Sequence, residues 1–334
     1  MNMRKSAFAL LAVISLFVSA CDNEIELNAP YKELGVIYGL IDPSEDTLSV
    51  RIQKAFLGDG NANQMAQITD SIYYPDILDV KIERIKNGSV ISTFPLVRYI
   101  GPDKEPGEFP VAPNILYRTN GEEFFIDSDY RIVVKNTQSG HEFSSTTPVV
   151  DSMKIVRPTR SPSSLIQFSN PSYPYNVEYV TGKNGKVFTF TLRFWYTEEV
   201  AGSGNPADTS YIDWNFPSTT IANPDVIKTI KIPIDGEDFY KFVGQKILAN
   251  SNVFRHDLGL DFIFMAGAEF LANYVSISQS TTSVLTTTPY YSNVIGGTGI
   301  FSSRYVQPIP NKQLDSPSKS LLQTSPYTSD LNFQ

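Results

Sequence analysis

From Leu34 to Thr147 apolar and polar residues recur mostly at every second position, in short runs separated by turn formers. Gly35 to Ile41 is a nearly continuous apolar run closed by Asp42-Pro43-Ser44, which predicts a buried strand. Leu48 to Phe56 alternates with period two, as a half-buried strand does. Asp79 to Ile85 also alternates, meets Lys86-Asn87-Gly88-Ser89 and resumes as Val90 to Phe94, and an Asn-Gly pair between such runs predicts a hairpin. Tyr130 to Lys135 and Glu142 to Thr146 form a second pair around Gln138-Ser139-Gly140. Strands of this length and spacing predict a β-sandwich of immunoglobulin-like or transthyretin-like type over residues 34–150.

Pro148 to Pro174 is rich in Pro and Ser and reads as a boundary or an extended crossover. A second β-rich domain is expected over residues 151–301. Within it Lys186 to Tyr196 is one long alternating strand behind a Gly182-Lys183-Asn184-Gly185 turn, and Val226 to Ile232 and Leu258 to Met265 are further strands. One helix follows Asp235, a capping residue, with Glu237 and Asp238 in its first turn and Phe239, Phe242, Val243 and Ile247 on one face. Glu269 to Ser278 fits a second short helix or a strand. Residues 302–334 are rich in Ser, Pro and Gln and are expected to wrap loosely or fray. The fold class is therefore mainly all-β with one or two short helices.

The amino terminus obeys a different pattern. Met1 to Lys5 is short and basic, and Ser6 to Val18 is apolar apart from its serines, shorter than the ~20 residues of a bilayer span. This is the n-region and h-region of a secretory signal, residues 1–20. Val18-Ser19-Ala20-Cys21 resembles the lipobox of bacterial lipoproteins, in which the cysteine is acylated and becomes the new amino terminus. Several acyl chains hold a protein where one gives only marginal binding. Residues 21–33 are then an acidic tether. Asp22, Asn23 and Glu24 behind the cysteine resemble the surface-export signal of Bacteroidota lipoproteins, which implies an outer-membrane position facing the cell exterior. The periplasmic face of that membrane is the alternative.

Composition narrows the chemistry. Cys21 is the only cysteine, so intrachain disulfides and thiolate metal clusters are excluded and the core alone must hold the fold. The formal charge is −8; without Arg4 and Lys5, 25 bases face 35 acids and the net is −10. No basic run occurs, so a nucleic-acid footprint is missing. Aromatic residues at 12%, with eighteen Tyr and twenty-one Phe, favour strands over helices.

Candidate chemical groups are sparse. His141 and His256 stand alone, without the partner that a triad or a metal site needs. Asp59-Gly60-Asn61-Ala62-Asn63 with Asp70 has some calcium-loop spacing but carries Gln64 where that loop needs Gly. The carboxylate neighbours Asp127-Ser128-Asp129 and Asp235-Gly236-Glu237-Asp238 read as a hairpin edge and a helix cap rather than a glycosidase pair. Trp195 sits on a strand that must face a core, whereas Trp214, with Tyr211, is the candidate for an exposed aromatic ligand contact. Asp46-Thr47-Leu48, Asp70-Ser71-Ile72 and Asp151-Ser152-Met153 match the Bacteroidota O-glycosylation pattern, making Thr47, Ser71 and Ser152 candidate acceptors. No cofactor and no metal ligand set are expected.

Several of these pieces together resemble a Bacteroidota outer-membrane lipoprotein family catalogued as domain of unknown function 4249. They are Cys21 with its acidic followers, the opening strand pair from Val36 to Ile41 and Leu48 to Phe56, and the hairpin at Asn87-Gly88. Asn293-Val294-Ile295-Gly296-Gly297-Thr298-Gly299-Ile300-Phe301 near the carboxyl end is the most specific of them. The resemblance implies an immunoglobulin-like first domain, a second β-rich domain, no established activity and a TonB-dependent outer-membrane β-barrel transporter as a partner. The expected function is a lipid-anchored, non-enzymatic binding or docking accessory. A glycan- or peptide-binding lipoprotein is the alternative, and a hydrolase is third.

Overall fold

The computed structural model describes residues 33–55, 62–107, 109–202, 207–279 and 290–334. It is mostly β, with 48% strand and 14% helix, in several largely antiparallel sheets with a few short helices, as the alternation predicts. In chain order the elements are strands β1 (Gly35–Ile41) and β2 (Thr47–Lys54), one-turn helices α1 (Ala62–Met65) and α2 (Thr69–Ile72), then β3 (Leu78–Lys86), β4 (Ser89–Pro95), β5 (Val97–Gly101), β6 (Asn114–Asn120), β7 (Asp129–Asn136) and β8 (Glu142–Pro148). The second half holds β9 (Lys154–Arg157), β10 (Tyr175–Val180), β11 (Val187–Val200), β12 (Asp208–Asn215), β13 (Thr219–Thr220), β14 (Thr229–Ile234), α3 (Gly236–Lys246), β15 (Val253–Gly267), α4 (Glu269–Gln279), β16 (Gly297–Lys312), α5 (Ser316–Thr324) and the 3-10 turn Ser329–Leu331.

One sheet runs through the whole molecule in the order β12-β11-β15-β16-β1-β2-β6-β5, with β13 also on β11. The sheet β4-β3-β7-β8 covers one end of it and the sheet β14-β10-β9 the other. Two cores result. Ile37, Ile41, Val50 and Ile52 from the long sheet meet Val80, Ile82, Tyr130, Ile132, Val134 and Phe143 from the four-stranded sheet. At the other end Phe188, Phe190, Leu192 and Phe194 of β11 and Phe262 and Phe264 of β15 meet Val177 and Tyr179 of β10 and Phe239 and Val243 of α3. Alternation on β11 is what makes this work: even-numbered residues from Phe188 to Tyr196 are buried and odd-numbered ones from Thr189 to Thr197 are only half-buried.

β16 joins the two ends. Its first half pairs in parallel with β1, Gly297 to Ser303 beside Gly35 to Ile41, and its second half pairs antiparallel with β15. The first layer is therefore completed by residues from the far end of the chain, and Phe301 is fully buried in the amino-terminal core. A boundary at residue 301 cuts through this strand.

The carboxyl segment departs from the loose tail expected of residues 302–334. Lys312 is 2% exposed and its Nζ donates to Ser161 O at 2.5 Å. Asp315 caps α5, accepting from Ser318 N, and Leu322, Leu331 and Phe333 are buried. The Pro/Ser stretch after β8 is an extended crossover held against this segment. Ile166 N donates to Gln313 O, Asp315 N to Ile166 O and Phe168 N to Ser318 Oγ. The helix after Asp235 forms as predicted, with the Asp235 side chain accepting from Glu237 N. Glu269–Gln279 resolves as helix rather than strand.

Candidate functional site

Strand register decides which aromatic side chains reach solvent. β11 and β12 pair antiparallel with Trp195 opposite Tyr211, Arg193 opposite Asp213 and Leu192 opposite Trp214. Leu192 faces the core, so Trp214 does too, stacked on Phe242 of α3 with ring centroids 5.1 Å apart and planes 13° apart. The two tryptophans thus exchange the places expected of them: Trp214 is half-buried against the carboxyl-terminal core and Trp195 lies on the opposite, outer face. The signal was present in the sequence, because Ile212, Trp214 and Phe216 recur at every second residue and all three pack against that core.

On the outer face five side chains converge. Arg193 makes a two-point ion pair with Asp213, Nε to Oδ1 at 2.7 Å and Nη2 to Oδ2 at 2.9 Å. Its guanidinium carbon lies 3.9 Å from the Tyr211 ring centroid, within cation–π range. Trp195 sits 4.8 Å from the same ring at 55°, and its Nε1 donates to Asp261 Oδ2 at 2.8 Å. Asp261 Oδ1 accepts from Asn311 N at 2.8 Å, which ties the group to β16. The Asp213 hydrogen bonds, more than any other influence, raise the Arg193 guanidinium further above its ordinary value. Tyr211 remains 50% exposed. Both carboxylates are engaged, so this patch offers preorganised recognition and no idle acid or base.

The other sequence candidates fall elsewhere. Cys21, Asp22, Asn23 and Glu24 lie outside the described residues, as does most of the Asp59 loop. Among the described residues no group of His, Cys, Asp and Glu is arranged to hold a metal ion, and no helix is long and apolar enough to cross a membrane. His141 Nε2 bonds to Gly296 O at 3.0 Å and His256 is exposed on β15. In all three Asp-Ser/Thr-apolar matches the third residue is a core side chain, since Leu48, Ile72 and Met153 are each 2% exposed. The hydroxyl residue is exposed only at Ser152, while Thr47 and Ser71 are half-buried.

Asp127 is unsuited to act as a general acid, because the Lys86 ammonium, then Ser128 and Arg84, pull its carboxyl down to about 2. The ordinary aspartate value is about 3.9. A lowered carboxylate favours folding while it is ionised, so this contribution is present above pH ~4 and is lost as pH falls through about 2. Carboxyl-detected NMR should give Asp127 a midpoint near 2; a midpoint near 4 would contradict the Lys86 and Arg84 contacts.

No protein-family model matches the chain, and no curated protein matches it either.

Proposed function

We propose that the protein is a lipid-anchored outer-membrane lipoprotein, exposed on the cell exterior through Cys21 and its acidic followers. It acts without catalysis, by docking onto a protein partner through the outer face of its long sheet. The observation that carries the docking is the Arg193-Trp195-Tyr211 patch. Arg, Trp and Tyr are the residues that dominate binding energy at protein interfaces. Here they are fixed in advance by Asp213 and Asp261, which lowers the ordering cost of association. The patch also borders β12, an edge strand of the sheet, so main-chain groups are within reach of a partner. A TonB-dependent β-barrel transporter is the partner proposed from the resemblance to domain of unknown function 4249. The immunoglobulin-like or transthyretin-like reading of residues 34–150 rests on strand length and spacing, and its immunoglobulin-like form is also what that resemblance implies.

Glycan binding is the second reading, favoured by the half-exposed Tyr211 ring. It is weakened by geometry, because Arg193 covers one face of that ring and Trp195 is inclined to it by 55°, so the two rings make no single flat platform. Extraction of the full chain in mild detergent separates the readings. A stoichiometric β-barrel should co-purify and be lost by roughly tenfold or more in Tyr211→Ser and Arg193→Gln. A chain that purifies alone and shifts on a glycan array would give the second reading instead. Mass analysis finding residue 21 without acyl groups would reject the anchor.

A further inference from the structure

Far along the same outer face from the Tyr211 patch, a cleft of about 390 Å³ opens over β1 and β2. Val36 and Tyr38 of β1 and Arg51 and Gln53 of β2 line it, with Lys54 beside them. Ile72 closes one wall, and Lys104 and Phe109 from the loop between β5 and β6 close the other. That loop is fastened by a backbone bond from Lys104 N to Val111 O and by Gln67 Nε2 donating to Gly107 O. Phe109 and Tyr38 are 45% and 42% exposed and offer flat apolar surface.

Two cations from separate elements, Arg51 and Lys104, share this cleft. Elsewhere Arg84, Lys86, Arg131, Arg193 and Arg255 each meet a carboxylate. Among the described residues Arg51, Lys54 and Lys104 form no ion pair, and no acidic side chain lines the cleft with them. Arg51 donates from one Nη to Asn114 Oδ1 at 2.9 Å, while its buried Nε has no acceptor among the described residues. Gln53 is 9% exposed, and its side-chain amide has no hydrogen-bond partner among the described residues. Burial first, and then the Arg51 charge, lower the Lys104 ammonium below its ordinary value. Partly desolvated like charges without a counter-ion are costly, and an anion between them removes that cost.

We propose that this cleft binds the phosphate group of a phosphomonoester, held between Arg51 and Lys104 with Gln53 as an amide donor, and lays the ester's organic part against Phe109 and Tyr38. A dianion suits two cations better than a monocarboxylate does. The one Nη of Arg51 not bonded to Asn114 acts as a point charge rather than as a fork matched to a carboxylate.

Calorimetry on the full chain at low ionic strength, with phenyl phosphate, benzoate and benzyl alcohol as probes, tests this. Phenyl phosphate should bind at least about tenfold more tightly than benzoate, and benzyl alcohol should not bind. Lys104→Met and Gln53→Leu should each weaken phenyl phosphate by roughly tenfold. Lys104→Met should leave the thermal midpoint equal or higher, because it removes a like charge. Tyr211→Ser should leave binding intact, so the cleft stands or falls apart from the docking face. Vesicles of phosphatidylcholine with and without phosphatidate, offered to a full chain carrying Cys21→Ala, identify the source. Flotation only with phosphatidate assigns a lipid headgroup, and phenyl phosphate binding without flotation assigns a soluble ester. Benzoate binding as tight as phenyl phosphate, no phosphate binding at millimolar concentration, or undiminished binding by Lys104→Met would overturn the proposal.

Discussion

Replacing Gly299 with valine is expected to lower stability by about 4 kcal/mol or more, enough to shift the thermal midpoint by roughly ten degrees. Gly299 has φ +104°, a region that β-branched residues essentially do not enter, and a Cβ there would lie 2.1 Å from the carbonyl oxygen of Ile37. The clash falls in the parallel pairing of β16 with β1, where Gly299 is the partner of Ile37. Neither strand can retreat, because Ile37 is fully buried in the amino-terminal core and Phe301 two residues on is buried there too. Asn293 tightens the same crossing, its Nδ2 donating to Phe301 O at 2.7 Å and its Oδ1 accepting from Phe301 N at 3.1 Å. Gly88→Ala is the matched control. Gly88 also has positive φ, at +77°, but no atom lies within 4 Å of the added Cβ, so only backbone strain of about 1 kcal/mol is expected. Thermal melts of the two variants that differ by less than about 2 °C would show that the close approach of β16 to β1 is not a constraint.

This crossing also accounts for the composition of the segment from Asn293 to Phe301. The Asn, the paired glycines, the third glycine and the aromatic are the residues a strand needs to enter a sheet beside another backbone and drop a ring into the far core. The sequence shows that these residues are special, but not that β1 is their partner, because parallel pairing across more than 250 residues leaves no local signal. Hairpins behave differently. Asn87 and Gly88 both adopt positive φ and the turn they predict joins β3 to β4. β5 and β6 are hard to read because the chain between them, from Pro102 to Pro113, is a long Pro- and Gly-containing loop rather than a turn.

The aromatic patch is half legible. Tyr211 stands out in the sequence, but its tryptophan neighbour there is Trp195 and not Trp214. Period-two patterns say which residues share a face; the tertiary partner decides which face is covered, and α3 covers the Trp214 side. The cation cleft is not legible at all. Arg51 and Lys104 are 53 residues apart in an acidic chain, and only the return of the β5–β6 loop over β2 brings them together. The carboxyl segment misleads through composition. Its buried residues, Ile309, Leu314, Leu322, Leu331 and Phe333, are too widely spaced to show a period. Pro308 and Pro310 argue against a strand, yet the second half of β16 has a strand partner on one side only, where a missing N–H is tolerated.

Arg255→Ala should cost about 3 kcal/mol or more and should loosen the last turn of the chain before the rest unfolds. Arg255 is 3% exposed, with Nε and Nη2 on Glu198 Oε1 at 2.8 and 2.7 Å, Nη1 on Leu331 O at 2.7 Å and Nη2 on Leu248 O at 3.0 Å. Its backbone continues the tie, accepting from Gln334 N and donating to Asn332 O. Glu198 is one-third exposed, so the stranded carboxylate regains water and contributes little to the loss. Most of the loss comes from the Leu331 and Leu248 carbonyls, deprived of a charged donor, and from the space vacated by a 3% exposed side chain. Arg255→Lys keeps the charge but cannot reach three acceptors at once, so it should fall between wild type and alanine. Lys241→Ala removes an exposed i,i+4 pair with Glu237, screened by solvent, and should leave the melt nearly unchanged. Denaturant melts rank the three variants, and hydrogen exchange at Gln334 N–H reports the local opening. Equal melts for Arg255→Ala and Lys241→Ala would mean that packing of Phe333 and Leu331 alone, and not the guanidinium, keeps this polar segment folded.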